Sequence, residues 1–196
     1  MQRAGLSTDT VVRAGAALAD EVGFAHATPS ELARRLGVRV ASLYSHVANA
    51  DDLRARIALL ALDEVADRTS EALAGRAGRE ALVALGDAYR DYARTHPGRY
   101  DAMRHPLSPD AAASSAGPRI AALTVAALRG YGLSPLDETH AVRLLGSTFH
   151  GFISLELAGG FSHSAPPSQQ SWERILDGLD RTLRAWSTTP TPEGTR

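Results

Sequence analysis

The 196-residue sequence contains no cysteine and no lysine. The first absence excludes disulfide scaffolds, thiolate metal sites and cysteine nucleophiles. The second makes arginine the sole strongly basic side chain: all 21 basic residues are Arg, against 22 acidic residues, for a formal net charge of −1. With alanine so frequent, exclusive use of arginine reflects genomic base composition more than chemistry. The near balance of charge argues against a protein that coats nucleic acid by bulk electrostatics, and leaves room for a small local DNA-reading surface. There is no run of about 18 apolar residues of the kind that spans a membrane; the longest apolar stretch, Ile57 to Leu62, is short and flanked by charges. No basic start followed by an apolar core marks a signal peptide. A cytoplasmic protein is expected.

Catalytic signatures are also missing. Gly-x-Ser-x-Gly and glycine-rich phosphate loops are absent. His96, His105, His140, His150 and His163 show no metal-ligand spacing. His140 and His150 lie nearly three helical turns apart, too far to share one ion. Asp137 and Glu138 fall at a helix start, where the dipole accounts for them. No enzyme activity, metal or cofactor is expected.

What is present is helical periodicity, with almost no strand alternation. Ser7 or Thr8 caps a first helix with Asp9 in its first turn, Val11, Leu18 and Val22 on one apolar face, and Gly23 at its end. Thr28-Pro29-Ser30-Glu31 starts a second: Thr28 accepts from the N–H of Glu31, Glu31 reaches back to the N–H of Thr28, and Pro29 takes the first helical position. That helix ends at Gly37, and a third is expected over Val40–Val47. Asn49 caps a fourth, with Asp51 and Asp52 in its first turn and Leu53, Ile57 and Leu60 inward, extending to about Leu73. Gly75 and Gly78 break the pattern before a fifth helix carrying Leu82, Leu85, Tyr89 and Tyr92. A short helix is expected from Pro97 to His105, then a mobile loop over Pro106–Pro118. Further helices carry Ile120, Leu123, Ala127 and Tyr131; then Val142, Leu145, Phe149 and Phe152; then Trp172, Ile175, Leu179, Leu183 and Trp186.

Two short helices joined by a glycine-containing turn, after a longer helix, describe a helix-turn-helix unit. Geometry alone leaves an ordinary helical hairpin open. The stretch Thr28-Pro-Ser-Glu-Leu-Ala-Arg-Arg-Leu-Gly37-Val-Arg-Val-Ala-Ser-Leu-Tyr44-Ser-His46-Val47, with the first helix before it and Asn49 through Leu53 after it, resembles the DNA-binding domain of the tetracycline-repressor (TetR) family over residues 7 to 62. The resemblance implies an all-α protein: a three-helix DNA-binding domain over 1–50, a connecting helix 51–74, an effector-binding and dimerisation bundle over 51–187 and a disordered tail over 188–196. It implies that Thr28, Tyr44 and His46 hold phosphates, while the start of the third helix faces base edges. The expected DNA-facing set is therefore Thr28, Arg39, Val40, Ala41, Ser42, Tyr44, Ser45 and His46. Only one of Arg34 and Arg35 can point at DNA.

Two departures from the family pattern matter. Arg39 stands where Ser or Thr usually caps the third helix; it accepts no cap bond but can reach a guanine edge or a phosphate. Ala48 and Ala50 stand where a phosphate-anchoring Lys is usual. Residues 1–62 hold 7 Arg and 6 acidic residues, a net of +1. Modest DNA affinity with a shallow salt dependence is expected.

In the C-terminal body, Tyr92-Ala-Arg-Thr-His-Pro97-Gly-Arg-Tyr100-Asp-Ala-Met103 and Phe149-His150-Gly151-Phe152 through Phe161 resemble the WHG subtype, with Phe149 nearest to its missing Trp. The resemblance implies a homodimer, with the last two long helices as the interface and Trp172, Leu176, Leu183 and Trp186 as candidates; the competing reading places both Trp residues in the monomer core. Tyr89, Tyr92, Met103 and Phe149 are the candidate lining of a pocket for a small, mostly apolar effector. The expected function is a transcriptional regulator, a repressor released from a palindromic operator by that effector. The alternative is an all-α small-molecule-binding protein with weak or lost DNA binding.

Overall fold

The computed structural model describes residues 6–188. They form ten α-helices and no strand: α1 (Thr8–Val22), α2 (Pro29–Leu36), α3 (Val40–Leu43), α4 (Ala50–Leu73), α5 (Gly78–Thr95), α6 (Pro97–Ala102), α7 (Pro109–Ser114), α8 (Gly117–Leu128), α9 (Pro135–Leu157) and α10 (Ser168–Thr188). No helix among the described residues is long and apolar enough to cross a membrane. From Thr189 onward, the tail expected to be disordered lies outside the described residues.

Hydroxyl caps set the helix starts. The side-chain oxygens of Ser7, Thr28, Ser108 and Ser134 accept the N–H of Thr10, Glu31, Ala111 and Asp137 at 3.1, 3.3, 3.3 and 3.2 Å. Each such bond satisfies an otherwise orphaned donor and contributes about 1 kcal/mol. The reciprocal half of the expected box at α2 does not form. Thr28 N–H donates instead to the His26 carbonyl at 2.9 Å, and the Glu31 carboxylate turns to Arg34.

Three other expectations need correction. The segment Pro106–Pro118 holds α7: Ser108-Pro109-Asp110 supplies the cap, proline and acid that start helices elsewhere in this chain. The third helix ends at Leu43, where the chain tightens into turns, with His46 N–H donating to the Leu43 carbonyl at 2.8 Å. Helix α6 stops at Ala102 rather than His105.

The chain divides into two compact units, the first comprising the chain to Val65 with Tyr92–Gly117, the second Ala66–Asp91 and the chain from Pro118. The first is built on Val11, Leu18, Leu32, Leu43, Val47, Leu53 and Ile57, all buried. Val22, expected on this face, is 40% exposed at the end of α1.

The second unit is centred on Trp172. Its ring lies 5.5 and 5.1 Å from those of Phe149 and Phe152, and its Nε1–H donates to Asp87 at 2.7 Å. The Arg90 guanidinium sits 5.1 Å from the Trp172 ring while bonding Glu156 at 2.6 and 2.9 Å and Gln169 at 2.7 Å. Leu145, Ile153, Leu176 and Leu183 complete this core. Trp172, Leu176 and Leu183, expected as candidates for a dimer interface, are thus core of their own protomer, because the aromatic cluster recruits them; Trp186 is half-buried.

Candidate nucleic-acid interface

The first unit presents one short segment outward. Gly37 ends α2 with φ of +65°, a left-handed conformation favoured by glycine. Val38 N–H then donates to the Ala33 carbonyl at 3.0 Å, closing the helix end and aiming the chain into α3. Leu43 and Val47 anchor the segment from below at 0% and 2% exposure. The Thr8 hydroxyl donates to the His46 carbonyl at 3.3 Å and ties its far end to α1. That tie has no signature in the local pattern, since it joins residues 38 positions apart.

On this base, Arg39, Ala41, Ser42, Tyr44 and Ser45 are exposed, and Val40 and His46 are half-buried. Tyr44 is 48% exposed despite its large ring. Thr28 is half-buried, with its hydroxyl occupied by the cap. The eight expected DNA-facing residues thus keep some accessible surface. The face is small and polar, without acidic side chains between Val38 and Ala50.

Charge on the flanking helices is largely paired. Arg34 bonds Glu31, and Arg35 bonds Glu21, with one N···O distance of 2.7 Å. Those bonds hold the Glu31 and Glu21 carboxyls below their ordinary range. Arg13 pairs with Asp9 at 2.9 Å. At the start of α4, Asn49 Oδ1 accepts from Asp52 N–H at 2.9 Å and the Asp52 carboxylate accepts from Ala48 N–H at 2.8 Å. This reciprocal cap was readable in the Asn49-x-x-Asp52 spacing. Burial alone would raise the Asp52 carboxyl, but the bonds from Ala48 and Arg56 outweigh it and lower it.

The same unit contains a polar network joining α1, α4, α5 and α6. Asp20 accepts from Arg99 N–H at 2.9 Å and lies 3.1 Å from His96 Nδ1. Arg99 Nη1 donates to Glu64 at 3.1 Å, and the Tyr92 hydroxyl donates to Glu64 at 2.7 Å. Burial, reinforced by the bond to Glu64, pushes the Tyr92 phenol far up. Tyr92, expected in a ligand pocket, is fully buried with its hydroxyl committed to Glu64.

The remaining pocket candidates are divided between units. Met103 lies in the first, while Tyr89 and Phe149 lie in the second with ring centroids 6.4 Å apart. Burial pushes the Tyr89 phenol up to about 12. The second unit carries an open groove of about 690 Å³ along α4 and α5, lined by none of the four. Arg68, Arg76, Arg79, Glu71, Glu80, Asp87 and Asp91 form most of its wall, around a floor that includes Ala72, Val83 and Ala84. That lining is charged, unlike the mostly apolar pocket expected from Tyr89, Tyr92, Met103 and Phe149.

Residues 82–179 match the family model described as "Tetracyclin repressor-like, C-terminal domain". The chain is 36% identical over 158 residues to the HTH-type transcriptional regulator Rv0681 of Mycobacterium tuberculosis, covering 80% of this chain and 72% of that one. It is 30% identical to the HTH-type transcriptional regulator YobS of Bacillus subtilis, covering 94% of this chain and 92% of that one. Its fold is similar to that of TetR-Q116A from Acinetobacter baumannii in complex with minocycline, with a TM-score of 0.71 at 20% identity over 94% of this chain and 100% of that one.

Proposed function

Since the chain belongs to the tetracycline-repressor (TetR) family of helix-turn-helix transcriptional regulators, we propose that it is a cytoplasmic repressor that grips a palindromic operator as a homodimer and lets go when a small effector binds. The observation that carries this reading is the division of one segment into two faces. Leu43 and Val47 are buried, while Arg39, Ala41, Ser42, Tyr44 and Ser45 are exposed. A segment with a fixed inner face and a small polar outer face suits the major groove.

In this reading the start of α3 (Arg39, Val40, Ala41 and Ser42) meets base edges and Ser45 lies beside them. Thr28, Tyr44 and His46 hold phosphates, which sets register without reading sequence. Residues 1–50 are the DNA-binding domain, α4 the connection, and residues 51–187 the effector-binding and dimerisation body. One copy reads too few bases for specificity; two copies place their α3 segments about 34–36 Å apart, one turn of DNA. The outward faces of α9 and α10 serve as the dimer interface. Exposed Arg143, Ser147, Gly151 and Leu155 on α9, and Arg174, Arg181 and Ala185 on α10, are available to it.

The effector, mostly apolar with a few polar anchors, enters the C-terminal body and favours an arrangement in which the paired α3 segments no longer match the operator. Its differential affinity for the two arrangements sets the size of the effect. The aromatic neighbours Tyr89 and Phe149 support this part. A second reading, an effector-binding protein with lost DNA binding, is favoured by Ala48 and Ala50 in place of a basic anchor. Selection of genomic DNA fragments by the purified full chain separates the two. An enriched palindrome supports the regulator; no enrichment supports the alternative.

A further inference from the structure

Six arginines lie between residues 6 and 65, and four of them are in ion pairs with carboxylates: Arg13 with Asp9, Arg34 with Glu31, Arg35 with Glu21 and Arg56 with Asp52. Arg54 is half-buried on α4. Arg39 differs from all of these: it is exposed, and its side chain makes no hydrogen bond or ion pair among the described residues, while its carbonyl accepts from Ser42 N–H at 2.9 Å. It is also the only Arg in the run Val38 to Ala50, which holds no carboxylate to compete for it.

The fold gains little from arginine here. The residue has extended backbone (φ −76°, ψ 144°) and stands at the capping position of α3 without a side-chain cap bond. Ser, Thr, Asp or Asn would serve the helix better. Its neighbours on the outward face, Ala41 and Ser42, are small and exposed, so backbone and bases can approach closely. A guanidinium carries paired donors whose spacing matches the O6 and N7 acceptors of guanine in the major groove, and this is the commonest specific contact made there.

We propose that Arg39 is the specificity-determining residue of this surface, donating to O6 and N7 of one guanine in each operator half-site. The proposal rests on the DNA-binding reading and deepens it. A homodimer places two such contacts symmetrically, so the operator carries one Arg39-dependent guanine on each side of its dyad. A phosphate contact by the same side chain is the rival: it would add affinity on every sequence alike and carry no base information.

The test uses the full chain and DNA selected by it. Binding is measured by fluorescence anisotropy on the selected site and on copies in which each guanine in turn is 7-deazaguanine, which lacks the N7 acceptor. Wild type is compared with Arg39→Ala, and circular dichroism checks that this exposed substitution leaves the fold intact. The proposal expects one guanine per half-site whose replacement weakens wild type severalfold, within the roughly 150-fold limit of a whole bidentate base contact. It expects Arg39→Ala, which loses the bonds to both acceptors, to bind the natural site at least that weakly and to ignore the replacement. An Arg39→Ala protein that loses affinity equally on all sequences yet keeps full sensitivity to every deazaguanine overturns the proposal in favour of a phosphate contact. Selected half-sites without guanine overturn it while leaving the regulator reading intact. Failure to select any DNA overturns both.

Discussion

The carbonyl oxygen of Ala19 lies 2.0 Å from the point that a Cβ on Gly98 would occupy. Helix α6 therefore rests directly on the backbone of α1, and only glycine permits the approach. The contact sits beside the Asp20–Arg99 bonds, so packing and polar pairing hold the same joint. Gly98→Ala must push α6 away or strain it. The expected loss is about 1–3 kcal/mol, the range for overpacking a tight contact, read as a lowered urea midpoint. An unchanged midpoint would show that the joint is loose.

Arg90 is the most deeply buried charge among the described residues of the second unit, at 3% side-chain exposure beside Glu156 at 11%. Arg90→Ala leaves Glu156 without its main counter-charge and empties the space beside Trp172. A loss of about 3–5 kcal/mol is expected, as for breaking a buried ion pair. Thermal unfolding followed by Trp fluorescence measures it; a loss below 1 kcal/mol, on the scale of an exposed pair, would contradict the burial.

The sign of one pH effect follows from Asp180. Burial would raise its carboxyl, but bonds from Arg184 and from Tyr131 at 2.7 Å outweigh burial and hold it below the ordinary value of 3.8. Its stabilising contribution is complete above that value and is lost as pH falls below it. Burial and the bond to Asp180 push the Tyr131 phenol upward, so its contribution is complete below the ordinary value of 10.0 and fades as pH rises above it. Urea midpoints between pH 2.5 and 6 should therefore converge for wild type and Asp180→Asn at the acid end. Parallel curves across that window would remove Asp180 from the account.

Salt dependence tests the charge inventory. With 7 Arg against 6 acidic residues over positions 1–62, and most of the described arginines there paired, few cations are available for phosphates. A plot of log affinity against log salt is expected to report fewer than about ten ions released per dimer. A steeper slope would mean that basic side chains elsewhere in the chain reach the DNA.

Much of this molecule is legible in sequence because its signals are local. Ser7, Thr28 and Ser134 announce their helices through bonds three residues long, and the apolar repeats Leu53–Ile57 and Leu145–Phe149–Phe152 bury as spaced. The outward set around Tyr44 follows from the inward set Leu43 and Val47. Helix α7 was missed because alanine and serine beside proline read as loop, although Ser108-Pro109 repeats the start signal of Ser134-Pro135. Trp172 is core of its own protomer, and its place is fixed by partners far along the chain, Asp87 and Phe149, which no periodicity reveals. The hydroxyl partner of Tyr92 is hidden from sequence for the same reason: Glu64 lies 28 positions away.

The central claim is that the segment from Val40 to His46 is the part of the chain that touches DNA. Its most direct measurement is the affinity of Tyr44→Ala for the selected site, by fluorescence anisotropy, with circular dichroism as the folding control. Tyr44 is exposed and lies outside both cores, so the fold should survive its loss. The account predicts at least a tenfold weaker complex, as expected for one lost contact to DNA worth about 1.4 kcal/mol or more, with an unaltered spectrum. Wild-type affinity in the Tyr44→Ala protein would contradict it.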